Sequence, residues 1–176
     1  MTYAHILLWM IFIISIISFF SLAPWVPTRT SDLKRIQKLI KLKPKENFLE
    51  IWCGTAKVSL YIAKENPESF ITGIELSPLF FLISKIKILC SRQKNIRIIY
   101  WNAFKKDLSL YEVLYVFWLP ETVTEKLFPK LETEMKIWSR FFSYCFQMKN
   151  NFFEETKHKS DPQVYAIYEY KSIHKK

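Results

Sequence analysis

The chain has 176 residues, room for one ordinary domain plus an appendage, and carries 26 Lys and Arg against 16 Asp and Glu for a net charge of +10. Its three cysteines, Cys53, Cys90 and Cys145, are odd in number, widely spaced and form no CxxC pair, which excludes a disulfide framework and fits a reducing compartment. The basic charge is not a nucleic-acid signature: it crowds into residues 29–45, no RNP-like, zinc-finger or helix-turn-helix pattern accompanies it, and nucleic acid is set aside as a partner.

Residues 6–23 are an uncharged apolar run flanked by Tyr3 and Trp25. As a helix the run rises about 27 Å, close to the roughly 30 Å of a hydrocarbon core, so the sequence predicts a transmembrane anchor over residues 1–23. A cleaved signal peptide fits less well, because no Lys or Arg precedes the run and Pro24 directly follows Ser21-Leu22-Ala23. Basic residues follow the run and none precedes it, which predicts a single-pass membrane protein with its remaining residues in the cytoplasm. The membrane is then a partner twice over, through the helix and through the basic juxtamembrane segment.

Residues 24–30, with two prolines, read as a stiff connector to a domain over residues 31–176. Thr30 or Ser31 can cap a helix over 32–41, whose Leu33, Ile36, Leu39 and Ile40 share one face. Strands are predicted over 47–52, 69–75, 95–101 and 113–119, and helices over 57–64, 78–91 and 121–135, the last kinked at Pro129. A short polar run, 105–111, reads as a single turn. Residues 137–148 and 163–170 read as closing strands, with 149–161 between them a polar loop. Alternating strands and helices imply a doubly wound, mostly parallel α/β sheet with helices on both faces, and the unbroken apolar strands suit a sheet covered on both sides.

The chemistry gathers where strands end. Residues 48–57 run Phe-Leu-Glu-Ile-Trp-Cys-Gly-Thr-Ala-Lys: an apolar strand carries Glu50 near its end, turns through small residues and enters a helix. The second strand ends in Glu75, the third is followed by Asn102-Ala103-Phe104, and the fourth ends in Leu119-Pro120. This layout suits a nucleoside cofactor, whose charged part meets backbone N–H groups while a carboxylate takes its ribose hydroxyls. A dinucleotide site would want Gly-x-Gly-x-x-Gly, a spacing the chain lacks.

On these four landmarks the chain resembles the class I S-adenosylmethionine-dependent methyltransferases, over roughly residues 24–170. A narrower similarity links the apolar helix, Pro24-Trp-Val-Pro-Thr28 and the run Phe117-Trp-Leu-Pro120 to the membrane-anchored protein-lysine methyltransferases and their short prokaryotic relatives. The resemblance implies a class I fold, S-adenosyl-L-methionine as cofactor, and a lysine of a protein substrate near the membrane as acceptor. It places Thr28, Glu50, Trp52, Gly54, Thr55, Glu75, Asn102 and Ala103 at the cofactor. Glu50 would hold the ammonium, N–H groups near Gly54 the carboxylate, Glu75 the ribose and Asn102 the adenine edge.

Pro120 and Glu121 would stand at the acceptor, with Trp118 and Leu119 as an apolar wall. Glu121 also suits the first turn of the following helix, where the dipole favours an acid. The loop departs from the family pattern: Trp52 and Ala56 stand where it has glycines, and Thr55 where an acid is often found. A membrane-tethered domain that has lost its cofactor therefore stays open as an alternative, as does a methyltransferase for a small or lipid-borne acceptor. His5, His158 and His174 are scattered and form no ligand set with the cysteines, so no metal is expected.

Overall fold

The computed structural model describes residues 3–19, 28–118, 120–148 and 151–172. Residues 24–27 of the connector, both prolines included, and Leu119 lie outside the described residues. The chain runs through α1 (Tyr3–Phe19), α2 (Thr30–Ile40), β1 (Asn47–Ile51), α3 (Lys57–Glu65), β2 (Phe70–Glu75), α4 (Pro78–Ser91) and β3 (Ile96–Tyr100). A 3₁₀ turn (Ala103–Lys105), β4 (Val113–Val116), α5 (Pro120–Thr122), a π turn (Val123–Leu127), α6 (Phe128–Glu134), β5 (Arg140–Tyr144), β6 (Glu154–His158) and β7 (Ile167–Lys171) follow.

The strands form one sheet of seven, in the order β3-β2-β1-β4-β5-β7-β6. The first five are parallel, and β7 and β6 close the edge antiparallel. Parallel neighbours need crossover helices, and these bury both faces of the sheet. On one face α2 and α3 pack Leu33, Ile36, Ile40, Val58 and Ile62 against Phe48, Tyr115 and Phe142. On the other, Val123, Leu127, Phe128 and Leu131 pack against Leu49, Leu114 and Val116. The mostly parallel, doubly wound α/β architecture is thus the one expected.

The anchor is not. The apolar helix is described over Tyr3–Phe19 and lies against α4. Among the described residues no helix is long and apolar enough to cross a membrane. The predicted single-pass membrane localisation is therefore corrected, and the cytoplasmic placement that followed from it loses its basis.

Two further differences have local causes. The predicted helix 121–135 is three segments, because Pro129 has no N–H to offer the carbonyl of Glu125. The ladder slips one residue ahead of it, and the Phe128 N–H bonds the Val123 carbonyl, five residues back. The predicted loop 149–161 contains β6, a polar strand at the sheet edge that among the described residues pairs with β7 alone. Its charged residues hide it from a hydrophobicity pattern, and edge strands carry such charge to discourage further pairing.

Candidate cofactor and acceptor site

The carboxyl ends of β1, β2, β3 and β4 carry the predicted site. Between β1 and α3, Trp52, Gly54 and Ala56 have φ of 54°, 54° and 55°. These are the three positions where the resemblance expects glycine, and all three hold the left-handed conformation that glycine adopts freely. Only one is glycine, so the loop keeps its backbone at the cost of straining a Trp and an Ala, about 1–2 kcal/mol each.

Two hydrogen bonds tie the loop to β2. Cys53 N–H donates to the Ile74 carbonyl at 2.9 Å, and Gly54 N–H to Glu75 Oε2 at 2.7 Å. Glu75 Oε1 accepts two more, from Leu76 N–H at 2.9 Å and Ser77 N–H at 2.7 Å. Burial raises the Glu75 pKa, and these three donors oppose the rise. Cys53 is buried and fills space beside Gly73, where an added Cβ would lie 2.8 Å from its Sγ and 2.5 Å from Ile98 Cδ1. Its thiol is pushed far above the usual range by burial, as an inert packing group should be.

Glu50 is also buried, and its Oε2 accepts from the Ser59 N–H at 2.7 Å and from the Ser59 hydroxyl. Desolvation pushes its pKa up to about 7, against the pull of Ser59, with the Glu75 charge adding to the rise. This carboxylate therefore braces the first turn of α3. Thr28 is buried at the same end, and Lys57 Nζ holds its carbonyl at 2.7 Å and the Thr30 hydroxyl at 3.0 Å. Thr55 is half-buried in the loop.

After β3, Asn102 Oδ1 accepts from the Phe104 N–H at 2.9 Å and opens the 3₁₀ turn, with Ala103 fully buried. The Trp52 indole does not stand alone: it lies 4.7 Å from Trp118 and 5.4 Å from Phe104, centroid to centroid. Trp118 Nε1 is buried with no hydrogen-bond partner among the described residues. Pro120 opens α5 and Glu121 beside it is exposed. Among the described residues no group of three or more His, Cys, Asp or Glu side chains could hold a metal ion.

The structure thus brings Trp52, Gly54, Thr55 and Glu75 to one loop junction, with Asn102 and Ala103 at the next strand end. It aims Glu50 into the sheet–helix interface. Sequence reasoning missed Ser59, Lys57 and Phe104 as partners. Ser59, in the third position of α3, is the one that carried a signal, since Ser there can meet an acid of the preceding strand.

No protein-family model matches the chain. It is 27% identical over 132 residues to a protein-lysine N-methyltransferase of Saccharolobus islandicus, covering 72% of this chain and 78% of that one. It is 30% identical over 73 residues to a demethylmenaquinone methyltransferase of Listeria monocytogenes, covering 41% of this chain and only 31% of that protein. Among solved structures, an RNA methyltransferase from Salinibacter ruber in complex with S-adenosyl-L-homocysteine superposes with a TM-score of 0.76 at 18% identity, covering 85% of this chain and 95% of that one. Fold, landmark order and relatives agree: the chain is of the class I S-adenosylmethionine-dependent methyltransferase type. The cofactor of that class is S-adenosylmethionine.

The donor set fits that group. The loop has the required backbone, a buried acid ends β2, Asn102 brings an amide to the end of β3, and the Trp118 N–H awaits an acceptor.

Proposed function

We propose that the protein transfers a methyl group from S-adenosylmethionine to the side-chain nitrogen of a lysine in a protein substrate. The acceptor rests on the similarity to a protein-lysine methyltransferase over 132 residues. The donor site rests on one observation above the others: the left-handed loop of Trp52, Gly54 and Ala56, tied through Gly54 N–H to Glu75.

When bound, the cofactor supplies a sulfonium methyl already activated for transfer. The residues of the chain have only to hold, align and dry the site. Glu75, pre-set by three N–H donors, offers its remaining lone pairs to the ribose hydroxyls. Asn102 and Ala103 meet the adenine edge, and Gly54 and Thr55 line the amino-acid arm. Thr28, fastened by Lys57, closes the site from the amino-terminal side, and Glu50 holds α3 rigid behind the loop.

A lysine must be neutral to attack, which costs roughly 4.6 kcal/mol at pH 7 from a pKa near 10.4. Exclusion of water at the acceptor end lowers that cost by disfavouring the ammonium. Pro120 and Glu121 border the entry. Glu121, exposed, acts there through its charge at the start of a helix rather than as a base.

The test is calorimetric titration of S-adenosylmethionine into the full chain, followed by transfer of labelled methyl to lysine-bearing proteins. Micromolar binding and label on lysine are expected. Label only on a quinone or an RNA would overturn the acceptor, and no binding by folded protein would overturn the whole reading.

A further inference from the structure

Trp52 is a bulky residue held in a left-handed backbone conformation, φ 54°, at a position where glycine would be unstrained. Its indole joins an aromatic cluster assembled from three separate strand ends: Trp52 after β1, Phe104 after β3 and Trp118 after β4. Trp52 and Trp118 are tilted 35° to one another at 4.7 Å, and Phe104 meets Trp52 at 65° and 5.4 Å. All three rings are half-buried, so none is sealed into the core. They lie where an open α/β sheet puts its ligand.

Glu75 accepts from the Gly54 N–H, two residues after Trp52, whereas Glu50 is turned away onto Ser59 of α3. The nearest lysine along the chain, Lys57, is turned onto the Thr28 carbonyl and the Thr30 hydroxyl. Half-buried indoles attract cations through their ring faces, tryptophan most strongly.

We infer that Trp52 and Trp118 form a sulfonium-recognising wall, so that the site distinguishes the positively charged methyl donor from its neutral demethylated product. The tryptophan that departs from the glycine pattern is then a specificity determinant, and its strained backbone is offset by what the indole recognises. Product leaves because transfer removes the charge that the wall holds. This inference rests on the methyltransferase reading and adds a discrimination that reading does not require.

Titrating S-adenosylmethionine and S-adenosylhomocysteine separately into wild type and Trp52→Leu tests it without any turnover. The ratio of the two affinities isolates charge, because both ligands fill the same space apart from one methyl. Trp52→Leu is expected to shift that ratio roughly tenfold toward the neutral ligand, chiefly through weaker binding of the charged one. Trp118→Leu, measured the same way, is expected to shift it in the same direction and stands in if Trp52→Leu does not fold. An unchanged ratio in a folded variant that binds both ligands would overturn the wall and leave the methyltransferase intact. Binding of neither ligand by wild type would overturn both.

Discussion

On the proposed reading, the two halves of the sheet solve different problems with different means. The donor half, β1 to β3, is built from backbone: three left-handed residues, a carboxylate holding three N–H groups, and a cysteine seated beside a glycine. The acceptor half, from β4 onward, is built from side chains on a looser frame: a helical stretch broken by a π turn, an exposed Glu121 and an antiparallel edge. The relatives reported above share methyl transfer by name. The acceptors named for the relatives (protein lysine, a menaquinone precursor and RNA) differ, so nothing common constrains the second half.

The largest effect should follow from breaking the donor half at its hub. Glu75→Ala strips three backbone donors of a charged partner at a buried site, and should cost about 3 kcal/mol or more in urea unfolding. Affinity for S-adenosylmethionine should fall at least about tenfold. Unchanged affinity in a folded variant would remove Glu75 from the ribose.

Glu50 gives an effect of similar size that depends on pH. Its pKa is pushed from 4.5 to about 7, so between those values the folded chain holds more protons than the unfolded one. Its contribution is then fully favourable below pH 4.5, declines as pH rises and is lost above about 7. Glu50→Gln, which still accepts from Ser59, removes the titration. The stability of wild type relative to Glu50→Gln should fall by on the order of 3 kcal/mol from pH 4.5 to 7.5. A flat difference would show that Glu50 reaches water.

Gly73→Ala probes packing behind the loop. The new Cβ would sit 2.5 Å from Ile98 Cδ1 and 2.8 Å from Cys53 Sγ, so a cost of about 2 kcal/mol is expected. Cys53→Ala in the same chain should recover part of it, by opening room on one side. No recovery would mean that Ile98 alone sets the limit.

How much of this was legible follows the same division. The apolar runs of β1, β2 and β4 and the acids Glu50 and Glu75 stand in the sequence, because burial on both faces and a strand-end carboxylate each leave a local pattern. The left-handed φ of Trp52 does not, since nothing in a tryptophan announces a left-handed backbone. The inward turn of Glu50 depends on Ser59, nine residues on, and Lys57 reaches Thr28 across the fold. The π turn was half legible: Pro129 marked the break but not the way the ladder absorbs it. Residues 6–23 read as a span on hydropathy alone, whereas among the described residues no helix is long and apolar enough to cross a membrane.

The smallest expected effect bears most directly on the comparison, because it asks whether the acceptor half holds a catalytic group at all. Glu121 is exposed at the start of a helical stretch, and a carboxylate there gains only a few tenths of a kcal/mol from the helix dipole. Glu121→Gln should therefore change unfolding free energy by less than about 0.5 kcal/mol and leave donor affinity untouched. Methylation of a lysine-bearing protein should slow by no more than about twofold, through KM, since a charge at the entry steers the acceptor without touching the reacting nitrogen. A fall in kcat of a hundredfold with donor affinity intact would put Glu121 against the amine. Chemistry would then be written into both halves of the sheet, and the division between backbone and side chains would fail at its acceptor end.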